Sequence, residues 1–233
     1  MNTLTNKNII LDKENHQYSL VEEPELVFTS VTTFVHNFFE KFDSEKIAKK
    51  LVSTHPKYVD RTVESLIDEW EASGRHGTKV HDEIENWVKE GAIPGEVKAV
   101  VAIDWLKNYQ KKSDIEVFSE VLIYSKELKI AGTIDLLALD KVTGIYEIID
   151  WKTSKRINTT SFGNKTGNKF ATRDVPDCNF YHYSLQLSLY RLILEEYYGF
   201  TVQNQLITHL QNDGAKAYIA TYMRDHILEM LNN

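Results

Sequence analysis

Cysteine is almost missing from this chain: Cys178 is the only one in 233 residues. An intramolecular disulfide is excluded, and so is any all-cysteine zinc or iron–sulfur site within one chain. That usage points to a reducing, intracellular compartment. Proline (4) and glycine (10) are also scarce, which excludes collagen-like and proline-rich linker proteins. Long apolar runs are lacking. The longest is Ala99-Val100-Val101-Ala102-Ile103, far too short to span a bilayer, so no membrane partner is expected. The first residues, Met1 to Lys7, hold no apolar stretch followed by a small-residue cleavage site, so no secretory signal is expected. What is present is ordinary for a globular protein, with 42% hydrophobic and 26% charged residues. The length suits one domain, or one core with a smaller lobe.

The net charge is −7, which weighs against a simple nucleic-acid coat protein. The charge is unevenly spread. Residues 152–173 carry Lys152, Lys155, Arg156, Lys165, Lys169 and Arg173 with no acid among them, so the rest of the chain is more acidic still. A solvated loop and a phosphate-binding loop both fit such a segment. Phe162, Phe170 and Tyr181 lie in or beside it, either as stacking platforms for bases or as buried anchors.

The hydrophobic pattern divides the chain. Ile9-Ile10-Leu11 and Tyr18 to Val21 flank a polar turn and predict a hairpin. Ser30 predicts an N-cap for a short helix reaching Phe38 or Phe39, and Asp43 or Ser44 predicts another. Residues 63–90 are helical in pattern, with a break expected at Ser73-Gly74 and an end at Gly91. Another helix is expected over Glu96 to Lys112. Three strands follow, Ile115 to Tyr124, Lys129 to Leu139 and Ile145 to Trp151. After the basic loop come a helix from Phe180 to Tyr198, strands from Gln205 to Leu210 and from Ala217 to Tyr222 around an Asn212-Asp213-Gly214 turn, and a closing helix from Arg224 to Leu231. This order predicts an α/β or α+β sheet core, residues 114–233, with a helical N-terminal lobe, residues 1–113.

The sharpest chemical signal is Gly132-Thr133-Ile134-Asp135 followed by Ile148-Ile149-Asp150-Trp151-Lys152. If Asp140 pairs with Ile145 across the turn, Asp135 falls opposite Asp150, and Lys152 shares their face. Two opposed carboxylates repel, and a divalent cation between them is the natural remedy. Lys152 would then sit beside the metal, able to hold a phosphate. A surface hairpin whose acids pair with Lys129 and Lys141 is the plainer alternative, and a one-residue slip would part the two acids.

This string resembles the core of the PD-(D/E)XK nuclease superfamily, in particular its RecB-like branch, which includes mitochondrial genome maintenance and phage exonucleases. Gly77-Thr78-x-x-His81-x-x-x-Glu85 resembles that branch's helical histidine motif, and Gln186-x-x-x-Tyr190 its downstream helix. Glu120 lies on the strand where relatives often carry an acid. The likeness covers most of residues 28–210 and implies a restriction-endonuclease-like mixed central sheet flanked by helices. It implies a metal shell of His81, Asp135, Asp150 and the Trp151 carbonyl, filled by Mg²⁺ or Mn²⁺. It further implies that Lys152 stabilises charge, that Glu85 orients water or ligand, and that Gln186 and Tyr190 position the strand. Glu85 and the Gln186–Tyr190 stripe also read as ordinary helix surface.

The resemblance departs from iron–sulfur relatives, because four cysteines are lacking, and from helicases, because no P-loop is present. The implied activity is a metal-dependent DNA exonuclease of single strands or frayed ends, leaving 5′-phosphates. Repair, recombination or phage biology, with a helicase or recombinase partner, would suit it. An endonuclease on the same core, and a non-catalytic binding or assembly protein, are the alternatives.

Overall fold

The computed structural model describes residue 4 and residues 8–232. A hairpin of β1 (Ile9–Asp12) and β2 (Gln17–Leu20) comes first, as expected. Then come β3 (Thr29–Ser30) and α1 (Val31–His36). The Ser30 hydroxyl caps α1 by accepting from the Thr33 amide, but the helix stops at His36, short of the expected Phe38. Asp43 caps α2 (Ser44–Thr54) in the same way. Helix α3 (Val63–Glu90) runs 28 residues without the break expected at Ser73-Gly74. A single helical glycine costs about 1 kcal/mol, less than the flanking turns and packed residues supply. Gly91, at φ +71°, ends it in the left-handed conformation.

After α4 (Val97–Gln110) the chain forms β4 (Ile115–Ser125), β5 (Ile130–Asp140) and β6 (Ile145–Lys152). The basic loop holds two short 3₁₀ turns, Phe162–Asn164 and Phe170–Thr172. Then come α5 (Asn179–Tyr198), β7 (Val202–Gln211), β8 (Gly214–Ile219) and α6 (Arg224–Leu231). The last strand lies about three residues earlier than the pattern suggested, because the hairpin turn is tight at Gln211↔Gly214.

The main sheet is mixed, in the order β3-β5-β6-β7-β8, with β4 also on β5. Its apolar residues pack on two sides. One cluster joins Val121, Ile123, Ile134, Leu137 and Ile148 to α1, α5 and α6. The other joins Leu136, Ala138, Ile149 and Trp151 to α3 and α4. A third, smaller cluster seats the hairpin on Phe28, Tyr124 and Ala131.

Two irregularities of β5 make the site. Strand β4 pairs along the whole of one edge of β5, so β3 and β6 must share the other. There β3 meets only Ile130 and Ala131, while β6 meets Leu136 to Asp140. Residues 132–135 therefore face a fork with no strand in it. Opposite, the β4–β5 ladder drops the pair Glu120/Asp135 yet keeps its register on both sides. Glu120 has φ +50°, a left-handed backbone rare for a residue with a side chain. The pleat reverses at this point. Val117 faces the α3–α4 cluster, whereas Val121, of the same parity, faces the α5 cluster.

Candidate active site

Asp135 stands at the inner end of the fork. The β5–β6 register is the one expected from the turn, with Asp140 on Ile145 and Leu136 on Ile149. It stops one pair short of Asp135/Asp150. Instead of a strand partner, the Trp151 amide donates to Asp135 Oδ2 at 2.8 Å. The carboxylate thus holds the strands apart while fixing its own position. Tryptophan 151 enters the site through this N–H; its side chain is buried on the far face, edge-on to Trp105.

His81 arrives from α3, its Nδ1 3.6 Å from Asp135 Oδ2. The helix can come this close because Gly77, one turn earlier, meets the loop after β6: a Cβ there would lie 3.0 Å from Thr153 Oγ1. The continuous helix, rather than a helix start, aims the imidazole. Glu120 completes a trio: one ligand atom from each of His81, Glu120 and Asp135 lies within 4.8 Å of the others. Burial, the Asp135 charge and then Glu85 push the Glu120 carboxyl up to about 8.

Asp150 lies outside this trio. It is buried, with Lys152 Nζ 2.9 Å from its Oδ1 and 2.8 Å from its Oδ2. Oδ2 accepts no hydrogen bond despite that approach. Burial raises the Asp150 pKa and works against the Lys152 ammonium, but the Asp150 and Asp135 carboxylates outweigh it and hold Lys152 above the ordinary lysine value. The Tyr183 ring of α5 lies under the ammonium, 4.4 Å from centroid to Nζ.

Gln186 and Tyr190 of α5 close the fork from the other face, with Gln186 Nε2 donating to the Tyr190 hydroxyl at 3.4 Å. The Tyr190 ring fills the space where Gly132 lacks a side chain, since a Cβ there would meet Tyr190 Cε1 at 2.6 Å. The Gly132 of the motif is therefore a packing requirement. Tyr18 of the hairpin bonds Thr133 Oγ1 at 3.0 Å. A cavity of about 450 Å³ opens between these parts, lined by Lys13, Tyr18, His81, Glu120, Asp135 and Tyr190 among others.

Other expected residues are engaged elsewhere. Glu85 neighbours Glu120 but is tied to Lys89 (2.5 Å) and Lys13 (3.5 Å). In the basic loop Lys155 pairs with Glu69 (2.7 Å) and Lys165 with Glu40 (2.5 Å), so these two pin the loop to α3 and to the segment between α1 and α2. Lys155 and Arg61 together hold the Glu69 carboxyl down to about 2. Arg173 stacks over Phe170, 4.1 Å away. Arg156 and Lys169 are exposed and make no ion pair among the described residues. Phe162 and Phe170 are exposed, at 91% and 59%, rather than buried anchors.

The sequence marks Glu120 without giving it a role; the β4–β5 register on either side of it is what brings it level with Asp135. Tyr183 was signalled only by its helical spacing from Gln186 and Tyr190. The approach of Lys13 and Tyr18 had no sequence signal, because it depends on where the hairpin docks.

A forked mixed sheet flanked by helices, with acids and a histidine at the fork and a lysine beside them, defines a metal-dependent hydrolase class. A family model of the PD-(D/E)XK nuclease superfamily matches residues 16–227, and the chain belongs to that superfamily. Membership makes it a metal-dependent nuclease and a nucleic-acid-binding protein. Among solved structures, SSO0001 is similar over 88% of this chain and 74% of its own, with 13% identity and a TM-score of 0.37, too distant to bear on activity. No curated protein matches the chain. Among the described residues no helix is long and apolar enough to cross a membrane.

The side chains present fit a divalent cation. An imidazole and two carboxylates converge, burial and then the neighbouring charges push one of those carboxyls up to about 8, and a buried Asp150 oxygen beside them lacks a hydrogen bond.

Proposed function

We propose that the protein is a DNA exonuclease of the RecB-like branch, acting on single strands or frayed ends and leaving 5′-phosphates. The observation that carries the reading is the convergence of His81, Glu120 and Asp135 beside the buried Asp150–Lys152 pair, at the mouth of a cavity walled by the hairpin and α5. His81, Glu120 and Asp135 would hold a divalent cation, with Asp150 beside them on β6. The mixed nitrogen and oxygen set suits Mn²⁺ as well as Mg²⁺. A divalent cation held there would lower the pKa of a water and act as a Lewis acid toward the phosphate.

The chain's own residues do the rest. Water attacks phosphorus in line, the P–O3′ bond breaks, and the 3′-oxygen leaves with a proton. Lys152 is fixed by Asp150 and Tyr183, so its ammonium meets the developing negative charge without rearranging. Gln186 and Tyr190 set the strand's approach. Arg156, Lys169 and Arg173 draw phosphates toward the site.

End-labelled linear and closed circular single-stranded DNA, incubated with Mg²⁺, Mn²⁺ or EDTA, test this reading beside Asp150→Ala and Lys152→Ala. Metal-dependent loss of the linear strand alone, absent in both variants, is expected. Cutting of the circle would make the protein an endonuclease, and binding without cleavage in either metal would make it a binding protein.

A further inference from the structure

Beside the candidate active site lies a second cavity, of about 460 Å³, that nothing above employs. The two adjoin along α1 and α5. Thr32 of α1 and Gln186 of α5 line the first, while Thr33, the next residue of α1, and His182, one turn earlier on α5, line the second. Its remaining walls include His36, Phe39 and Phe42, with Lys41 at its mouth.

We propose that this second cavity is a base-stacking subsite, in which a nucleotide of the single strand bound at the active site rests its base against Phe42. The inference rests on the nuclease reading and says where the strand runs.

Phe42 is 67% exposed, an unusual outlay of apolar surface, and it is not loose. The Trp70 ring of α3 meets it in a T-shaped contact at 5.5 Å, which fixes the ring and leaves a face open. At the back of the cavity the His182 ring lies 4.1 Å from the buried Phe39, with Asp177 Oδ1 2.9 Å from its Nε2. His36 faces His182 at 6.0 Å. Desolvation holds both imidazoles below the ordinary histidine value, and His182 Nε2 is already turned to Asp177. Such groups suit the edge of a base better than a phosphate. The phosphate has its own partner, because Lys41 is exposed and makes no ion pair among the described residues. On the same lip Lys165 is spent on Glu40. Fixed aromatics, imidazoles and an exposed lysine, next to the proposed metal trio, match a single strand with splayed bases and no duplex.

The test measures anisotropy of labelled oligodeoxythymidylates of about two, six and twelve nucleotides, in EDTA so that nothing is cut. Wild type is compared with Phe42→Ala and Phe42→Trp. The expected result is a roughly tenfold loss of affinity in Phe42→Ala for the longer strands, none for the dinucleotide, and recovery in Phe42→Trp. Equal binding by Phe42→Ala at every length would overturn the subsite, and so would an equal loss at every length. In either case cleavage of the longer strands by wild type in Mn²⁺ would leave the nuclease reading standing. A wild type that neither binds nor cuts any strand would overturn both.

Discussion

Lys152 does two things that can be separated. Its ammonium neutralises a buried carboxylate and, in the proposed chemistry, a phosphate. Lys152→Ala is expected to lower kcat by about 10²–10³ and, because Asp150 is left buried and unpaired, to lower stability by about 3 kcal/mol. The double variant Asp150→Asn/Lys152→Met should regain most of the stability and none of the turnover, which thermal melts and single-turnover assays would show. Glu120 carries a different signature. Its folded pKa, about 8, lies above its ordinary 4.5, so the protonated form is the one the fold favours. Stability from this group is complete below pH 4.5 and drains away as pH rises toward 8. A bound cation reverses that cost. Mn²⁺ is therefore expected to raise Tm more at pH 8 than at pH 6, while Glu120→Gln melts higher than wild type without metal at pH 8. An equal Mn²⁺ shift at both pH values would remove Glu120 from the ligand set.

Helix α3 and strand β5 carry the element-scale consequences. Gly74 lies within the helix with open space where a Cβ would go, whereas Gly77 touches Thr153. Gly74→Ala should thus gain about 1 kcal/mol, while Gly77→Ala should gain less or lose stability, with turnover falling as His81 moves. Urea titrations of both variants decide this. In β5, Gly132→Ala forces a Cβ into the Tyr190 ring and should cost about 1–3 kcal/mol. Tyr190→Leu in the same chain is expected to return part of it. The elements themselves were legible from the sequence because strand composition, caps and the Asp140-to-Gly144 turn are local. Ser30, Asp43 and Gly91 act as the pattern says. The expected break at Gly74 failed because propensity is a weak prior against 28 residues of packed helix. The opposed pair Asp135/Asp150 was legible as a register but not as a geometry. Pairing ends one step early, where a side chain rather than a backbone group takes the Trp151 amide, and no periodicity encodes that.

Over the whole molecule, charge is divided between an acidic body and one basic loop, and part of that loop's charge is spent internally. Lys155 and Lys165 fasten it, leaving Arg156, Lys169 and Arg173 facing outward. Replacing those three by alanine should reduce the slope of log affinity against log salt for single strands by about 2. The pair Lys155→Ala/Lys165→Ala should change the slope less and loosen the loop, as hydrogen exchange over residues 155–173 would report. The composition could mark this loop but could not sort its cations, since Glu40 and Glu69 are distant in sequence. The fork in β5 also has a consequence in time. Its far wall is β3, two residues at positions 29 and 30, and they find their partners, Ile130 and Ala131, only after a hundred further residues exist. The histidine, the acids, the lysine and the tyrosine that closes the gap span residues 81 to 190, so no short fragment holds them together. During synthesis the early segments must wait, and the constellation is whole only once α5 has emerged.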